Sequence, residues 1–132
     1  MKEIDKIAWI LIEQGKILGT RTKGRSNFYI PGGKSEKGES DEETLIREIR
    51  EGLSVSIKEE TINYLSTFKA QSDNDKEGIL VKMTCYEADY EGTLKPENEI
   101  EEMRWLTTAN NNIISEVDKI IYKYLKEKGK LD

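Results

Sequence analysis

The sequence predicts an α/β fold in which a β-sheet lies between helices. Three observations lead there. Short apolar runs and alternating stretches occur on both sides of an amphipathic segment with helical spacing. A second amphipathic segment closes the chain. Two helices cannot bury their apolar faces alone, but they can cover a sheet between them. A length of 132 residues favours one domain, residues 1–132, with one sizeable core.

The elements follow in chain order. IDKIAWILIEQGKILGTRTKG reads as two strands joined at Gln14 and Gly15. NFYIPGGK reads as a short strand ended by Pro31, Gly32 and Gly33. Ser40 and Glu43 form an S-x-x-E capping box, which starts a helix near Asp41. Leu45, Ile46, Ile49 and Leu53 are its apolar stripe, and residues 54–57 begin the next strand. YLSTFKAQ, residues 64–71, is a strand, and SDNDKEG, residues 72–78, is a polar loop. Residues 79–90 form the clearest long strand, with Val81, Met83 and Cys85 on one face and Lys82, Thr84 and Tyr86 on the other. EGTLKPENEIEE is a turn-rich connection, and MRWL is a short strand. Ile113, Ile114, Val117, Ile120, Ile121 and Tyr124 mark a C-terminal helix packed on the sheet.

Composition excludes several function classes. Hydrophobic and charged residues each make up 36%, which suits a soluble globular protein with a charged surface. A net charge of -5 argues against binding a nucleic-acid polymer through its backbone. Small anionic ligands stay open, because a metal ion can neutralise both partners. Cys85 is the sole cysteine, so no intrachain disulfide forms, and a cytoplasmic location is expected. The apolar run 7–12 is too short to span a membrane, and neither signal peptide nor anchor is expected. The chain has no histidine, which removes histidine bases and histidine-ligated zinc. Acid–base chemistry then falls to carboxylates, Lys, Tyr, Cys85 or metal-bound water.

The informative segment is GKSEKGESDEETLIREIREGLSV, residues 33–55. A glycine pair ends a strand, a loop reaches Glu39, and a capped helix carries Glu48 and Glu51 near its end. At about 100° per residue, these two lie roughly 60° apart on a face away from the apolar stripe. Clustered carboxylates repel unless something positive sits among them. Arg47 supplies part of that charge, and a hard cation such as Mg2+ would supply the rest. The plainer reading is a solvated face with i,i+4 pairs, Glu43–Arg47 and Arg47–Glu51.

Spacing favours the first reading. The segment resembles the Nudix box, G-x5-E-x7-R-E-U-x-E-E-x-G-U, where U is a bulky aliphatic residue. Gly33, Glu39, Arg47, Glu48, Ile49, Glu51 and Val55 fall in register, seven of the nine defined positions. The preceding FYIPG and the later IEEMRWL also resemble the family, so the likeness covers most of the chain. Gly52 stands where the second paired glutamate would be, and Ser54 replaces the box glycine. Gly52 offers no ligand and weakens the last helical turn by roughly 0.5–1 kcal/mol relative to alanine.

The resemblance implies a Nudix-like α/β/α sandwich with a mixed β-sheet between helices. It also implies Mg2+-dependent hydrolysis, with Mn2+ as a substitute, of a nucleoside diphosphate linked to another moiety. Carried over by position, Glu48 and Glu51 are the helix ligands, with the Gly32 carbonyl as a backbone ligand. Glu48, Glu51 and Arg47 are then the catalytic group, and Glu48 is the candidate water activator. Arg47 and Glu39 form a supporting pair that fixes loop to helix. Glu99, Glu101 or Glu102 would add a late-loop acid.

Arg21, Lys23 and Arg25 form a basic cluster suited to phosphate or simply to solubility. Arg21, Arg25 and Tyr29 are the substrate-binding candidates. For Trp9, Tyr29, Phe68 and Trp105, packing is the default and base stacking the alternative. The expected partner is a small nucleoside diphosphate derivative, with neither nucleic-acid polymer nor membrane. Family members are often homodimers, although no residue here points to an interface. The competing function is an impaired or inactive Nudix-fold protein that binds nucleotides or a protein partner, with Gly52 as the discriminating residue. A third reading makes Gly52 a recent or engineered change in an ordinary hydrolase.

Overall fold

A computed structural model of the protein describes residues 2–72 and 78–132. Most of the polar loop expected at residues 72–78 therefore lies outside the described residues. The strands are β1 (Lys2–Trp9), β2 (Ile12–Glu13), β3 (Lys16–Thr22), β4 (Gly32–Gly33), β5 (Ser56–Ile57), β6 (Asn63–Gln71), β7 (Ile79–Glu87), β8 (Tyr90–Glu91) and β9 (Ile100–Leu106). The helices are α1 (Asp41–Leu53) and α2 (Glu116–Glu127), with short 3-10 turns at Glu59–Thr61 and Thr108–Ile113.

A four-stranded sheet runs in the order β4-β1-β7-β6, and an antiparallel sheet in the order β2-β3-β9. β1 pairs parallel with β7, while β4 and β6 pair antiparallel with their neighbours. The larger sheet is therefore mixed, as expected. The chain passes from one sheet to the other between Ile10, whose N–H donates to the Tyr86 carbonyl, and Leu11, whose carbonyl accepts from Leu18. Gln14 (φ 53°) and Gly15 (φ 77°) make the turn into β3, the mirror-image geometry that matches strand twist.

Pleating sends alternate side chains of β1 to opposite layers. Ile7 and Trp9 meet Leu45, Ile49 and Leu53 of α1, whereas Ala8 and Ile10 meet Val117, Ile121 and Leu125 of α2. The two helices thus cover opposite sides of the sheet core. Full burial of a residue such as Leu45, Ile49 or Leu53 is worth about 1.5–3 kcal/mol. That exceeds the helical cost of Gly52, so packing rather than propensity holds the end of α1. Trp9 is fully buried and donates its indole N–H to the Ala88 carbonyl at 3.1 Å, which makes it a core residue. Cys85 is also fully buried.

Three expectations need correction. Residues 27–30 form only isolated bridges, Thr20 with Tyr29 and Phe28 with Ile114; the glycine pair after them is the strand. The long strand at 79–90 is broken after Glu87, leaving β8 to pair with β5. The C-terminal helix starts at Glu116, and its buried face comprises Val117, Asp118, Ile121, Tyr122 and Leu125; Ile120 is 45% exposed. Residues 113 and 114 precede the helix, so the apolar face is centred elsewhere than a start at 113 would put it.

Ser40 caps α1: its Oγ accepts from the Glu43 N–H at 3.1 Å, and the Glu43 carboxylate accepts from the Ser40 N–H at 2.9 Å. At the other end, Ser54 occupies the left-handed region with φ 65°. A residue with a Cβ is strained there, and glycine is not. Ser54→Gly is therefore expected to stabilise the protein by about 0.5–1 kcal/mol. Urea denaturation measures this, and a loss of stability would refute the strain argument.

Candidate active site

The site is built where α1, β4 and the loop between them meet. The residue 34–40 loop is drawn together by Glu39, whose carboxylate accepts from the Glu36 N–H at 2.8 Å and from the Thr44 hydroxyl at 3.0 Å. Arg47 then grips the same carboxylate in a two-point fork, Nε to Oε2 at 2.6 Å and Nη2 to Oε1 at 2.9 Å. Its Nη2 also donates to the Lys34 carbonyl at 3.1 Å, and its Nη1 donates to Glu48 Oε1 at 3.0 Å. Glu51 stands 3.6 Å from the same guanidinium. Arg47 is thus the hub of Glu39, Glu48 and Glu51. The i,i+4 pair with Glu51 exists, whereas Glu43 is engaged in the helix cap.

These contacts separate the acids electrostatically. Hydrogen bonds from Arg47, then that of the Glu36 N–H, hold the Glu39 carboxyl down to about 2. Burial pushes the Glu48 carboxyl above its ordinary value; the charges of Glu51 and Glu99 add to this, and Arg47 opposes it. Arg47 itself is raised well above the usual guanidinium range, chiefly by Glu39. For Glu39, the folded value lies below the ordinary 4.5. Its stabilising contribution is complete above that ordinary value and is lost as pH falls toward about 2. Glu39→Gln is expected to lower Tm at neutral pH, and the gap to the parent should close over that acid interval. Melting curves across this range check it; a gap independent of pH would exclude the ion pair as its source.

Glu48 lies directly against Gly33: a Cβ on Gly33 would come 2.6–2.7 Å from the Glu48 carboxylate oxygens. Gly32, at φ +147°, packs against the backbone of β1, where a Cβ would overlap the Ile7 carbonyl oxygen. The glycine pair therefore lets β4 pair with β1 and gives the Glu48 carboxylate room. Next to it opens a cleft of about 230 Å³ whose lining includes Gly32, Gly33, Glu48 and Glu99. Lys6, Arg25 and Tyr29 line it as well.

The structure thus brings Gly32, Glu48, Arg25 and Tyr29 to one cleft, with Arg47 and Glu39 supporting Glu48 from the loop. Glu51 is on the adjacent helix surface, about half exposed, and does not line the cleft. Arg21 also lies outside the lining; it pairs with Glu101 at 2.8 Å and Glu102 at 3.2 Å.

Two residues escaped the sequence reading. Lys6 lines the cleft 6.0 Å from the Tyr29 ring centre. The available signal was its place in β1, in alternation with Ile4 and Ala8, which sets a cation on the α2 side of the sheet. Asp118 is fully buried in the first turn of α2 and accepts from the Ile30 N–H at 3.0 Å, holding the segment that leads into Gly32. No local pattern distinguishes it from an ordinary acidic first turn.

The donors available for a divalent cation are all oxygens, which suits Mg2+. The bare Gly33 leaves space for the Glu48 carboxylate, and Gly32 lines the same cleft. Among the described residues, no three acidic side chains form a complete ligand group. Waters and substrate oxygens would fill the remaining positions, as is usual for Mg2+. On that basis the residues fit a partly hydrated ion.

A sequence model of the NUDIX domain matches residues 4–125. No curated protein matches the chain. The fold is similar to that of the Escherichia coli ORF135 protein, with TM-score 0.74 and 23% identity over 100% of this chain and 96% of that one. It is similar to the MutT protein of Methanosarcina mazei Go1, with TM-score 0.73 and 16% identity over 98% and 96% of the two chains. A MutT NUDIX hydrolase from Burkholderia pseudomallei gives TM-score 0.67 and 20% identity over 83% and 86%. Such identities speak for the fold, while the match over residues 4–125 covers nearly the whole chain and includes the Arg47 hub. The chain belongs to the NUDIX domain family.

Proposed function

We propose that the protein is a Mg2+-dependent pyrophosphohydrolase that cleaves a nucleoside diphosphate linked to another moiety. One observation carries the reading: Arg47 fixes Glu48 at the wall of a cleft that also holds the glycine pair and two cations. Glu48 and the Gly32 carbonyl at the cleft, with Glu51 reaching in from the adjoining helix surface, would hold the metal. When bound, Mg2+, or Mn2+ in its place, offsets the charge of the diphosphate.

The chain's own residues do the rest. Glu48 accepts the proton of the attacking water. Lys6 and Arg25 bring positive charge to phosphate oxygens, and Tyr29 offers a ring face to the nucleoside. Arg47 and Glu39 keep the base in place. Arg21 stabilises the late strand through Glu101 and Glu102. A cytoplasmic location suits this chemistry; no helix among the described residues is long and apolar enough to cross a membrane. The second reading, binding without turnover, is favoured by Gly52, which lacks the acid the family pattern has there.

The test is phosphate or pyrophosphate release from a panel of nucleoside triphosphates, their oxidised forms, and dinucleotide and sugar conjugates. Each is incubated with Mg2+, Mn2+ or a chelator. Metal-dependent release from at least one class is expected, with none under chelation. Tight nucleotide binding without release in either metal would establish the second reading. Neither binding nor release across the panel would sink both.

A further inference from the structure

The cleft beside Glu48 has a second compartment. Lys6, Tyr29 and Met83 line the cleft and also a recess of about 30 Å³, whose far wall is made by Val81, Ser115 and Val117 and to which Glu48 does not belong. Its size leaves room for one or two water-sized groups, hence for a substituent of a ring but not for a second ring. Lys6 stands opposite Met83 where β1 pairs with β7, which sets it at the junction of the two compartments. The two cations of the cleft therefore differ in place. Arg25 lines the cleft alone, whereas Lys6 lines the recess as well.

The recess presents donors. An ammonium has three N–H groups and no acceptor, so Lys6 can hold a neighbour and still donate. Ser115 Oγ accepts from the Asp118 N–H at 3.3 Å, which leaves its own O–H to donate. On the rim, Gln71 Oε1 already accepts from the Gly78 N–H at 3.1 Å. Lys6 Nζ lies 6.0 Å from the Tyr29 ring centre, so a base stacked on that ring has an edge beside the ammonium. Bases differ at that kind of edge. Guanine, thymine and uracil carry an exocyclic carbonyl, an acceptor, where adenine and cytosine carry an amino group, a donor. An amino group facing Lys6 would set donor against donor.

We propose that Lys6 is a specificity-determining residue: with the base on the Tyr29 ring, its ammonium donates to an exocyclic carbonyl at the mouth of the recess, so the protein takes carbonyl-bearing bases in preference to amino-bearing ones. Arg25 is then the cation that serves phosphate. The inference rests on the nucleotide reading above and refines the part Lys6 plays in it.

The test measures Kd with Mg2+ by calorimetry for two matched pairs of nucleoside monophosphates, inosine against adenosine and uridine against cytidine. Monophosphates have no diphosphate bond, so nothing is cleaved during the titration. The parent is expected to bind the carbonyl member of each pair about 10-fold or more tighter, as a hydrogen bond from a charged group allows. Lys6→Met keeps the length of the side chain and should bring each pair within about 3-fold, by weakening the carbonyl member alone. Tm reports the fold of the variant. Lys6→Gln, which adds an acceptor to its donor, should level the pairs as well and replaces Lys6→Met if that variant does not fold. Equal affinities within the parent's pairs, or no binding of any of the four, would overturn the proposal. So would equal weakening of both members in Lys6→Met, which would assign Lys6 to phosphate. Mg2+-dependent release from the matching triphosphates separates the two levels. Release with unselective binding sinks the Lys6 assignment alone. Neither release nor binding sinks the nucleotide reading with it. Selective binding without release keeps the Lys6 assignment on a protein that binds without turnover.

Discussion

Glu48→Gln is expected to lower turnover by about 10²- to 10⁴-fold, the usual contribution of a positioned general base. The fold should survive. The amide keeps an oxygen to accept from Arg47 Nη1, the contact now at 3.0 Å. Burial already disfavours the charged carboxylate, so a neutral side chain removes a desolvation cost while weakening one charged hydrogen bond. These effects oppose each other, and stability should stay within about 1 kcal/mol of the parent. Steady-state kinetics at saturating Mg2+ and a urea titration measure both sides. Retention of more than about a tenth of the parent turnover would remove Glu48 from the role of base. A large loss of stability would show that Glu48 serves the structure of the loop, and activity data on it would then say little about chemistry.

The α1 segment is legible in the sequence because independent local signals agree. The capping box fixes its start, and Leu45, Ile49 and Leu53 face one core layer at helical spacing. The acid and arginine positions then follow from spacing along one helix and its loop, and Arg47 does meet both Glu39 and Glu48. Residues brought together by strand pairing are much less legible. Lys6 reaches the cleft because β1 runs parallel to β7, with Lys6 opposite Met83. Arg21 is drawn to the late acids because β3 pairs with β9, with Arg21 opposite Glu102. A basic cluster read along the chain cannot reveal that one member is committed to carboxylates from a distant strand. The approach of Ile100 to Gly52, its Cγ1 lying 3.2 Å from where a Cβ on residue 52 would stand, is also long-range. Without it, the sequence shows only a missing ligand and not the residue that fills its space.

The glycine pair shows the same limit at larger energetic stakes. Local rules read Pro31, Gly32 and Gly33 as punctuation, yet Gly32 and Gly33 pair with Ala8 and Ile7 as a strand. Gly32→Ala is expected to destabilise strongly. Its φ of +147° is strained for any residue with a Cβ, and the added methyl would overlap the Ile7 carbonyl oxygen, a backbone atom that cannot rotate away. Strain of this kind costs about 1–3 kcal/mol, and overpacking typically adds another 1–3 kcal/mol, roughly. Together these approach much of the roughly 5–15 kcal/mol that holds a domain folded. Gly33→Ala is the contrast. That methyl would meet the Glu48 carboxylate, the movable end of a side chain, so the fold should hold while Glu48 is displaced. Urea denaturation is expected to place Gly32→Ala several kcal/mol below the parent, roughly the sum of strain and overpacking. Gly33→Ala should stay near the parent in stability and lose activity. Equal stability losses in the two variants would mean that the glycines act only in strand pairing. A fully stable Gly32→Ala would mean that β4 can leave β1 at little cost, and that the cleft wall is not fixed by this pairing.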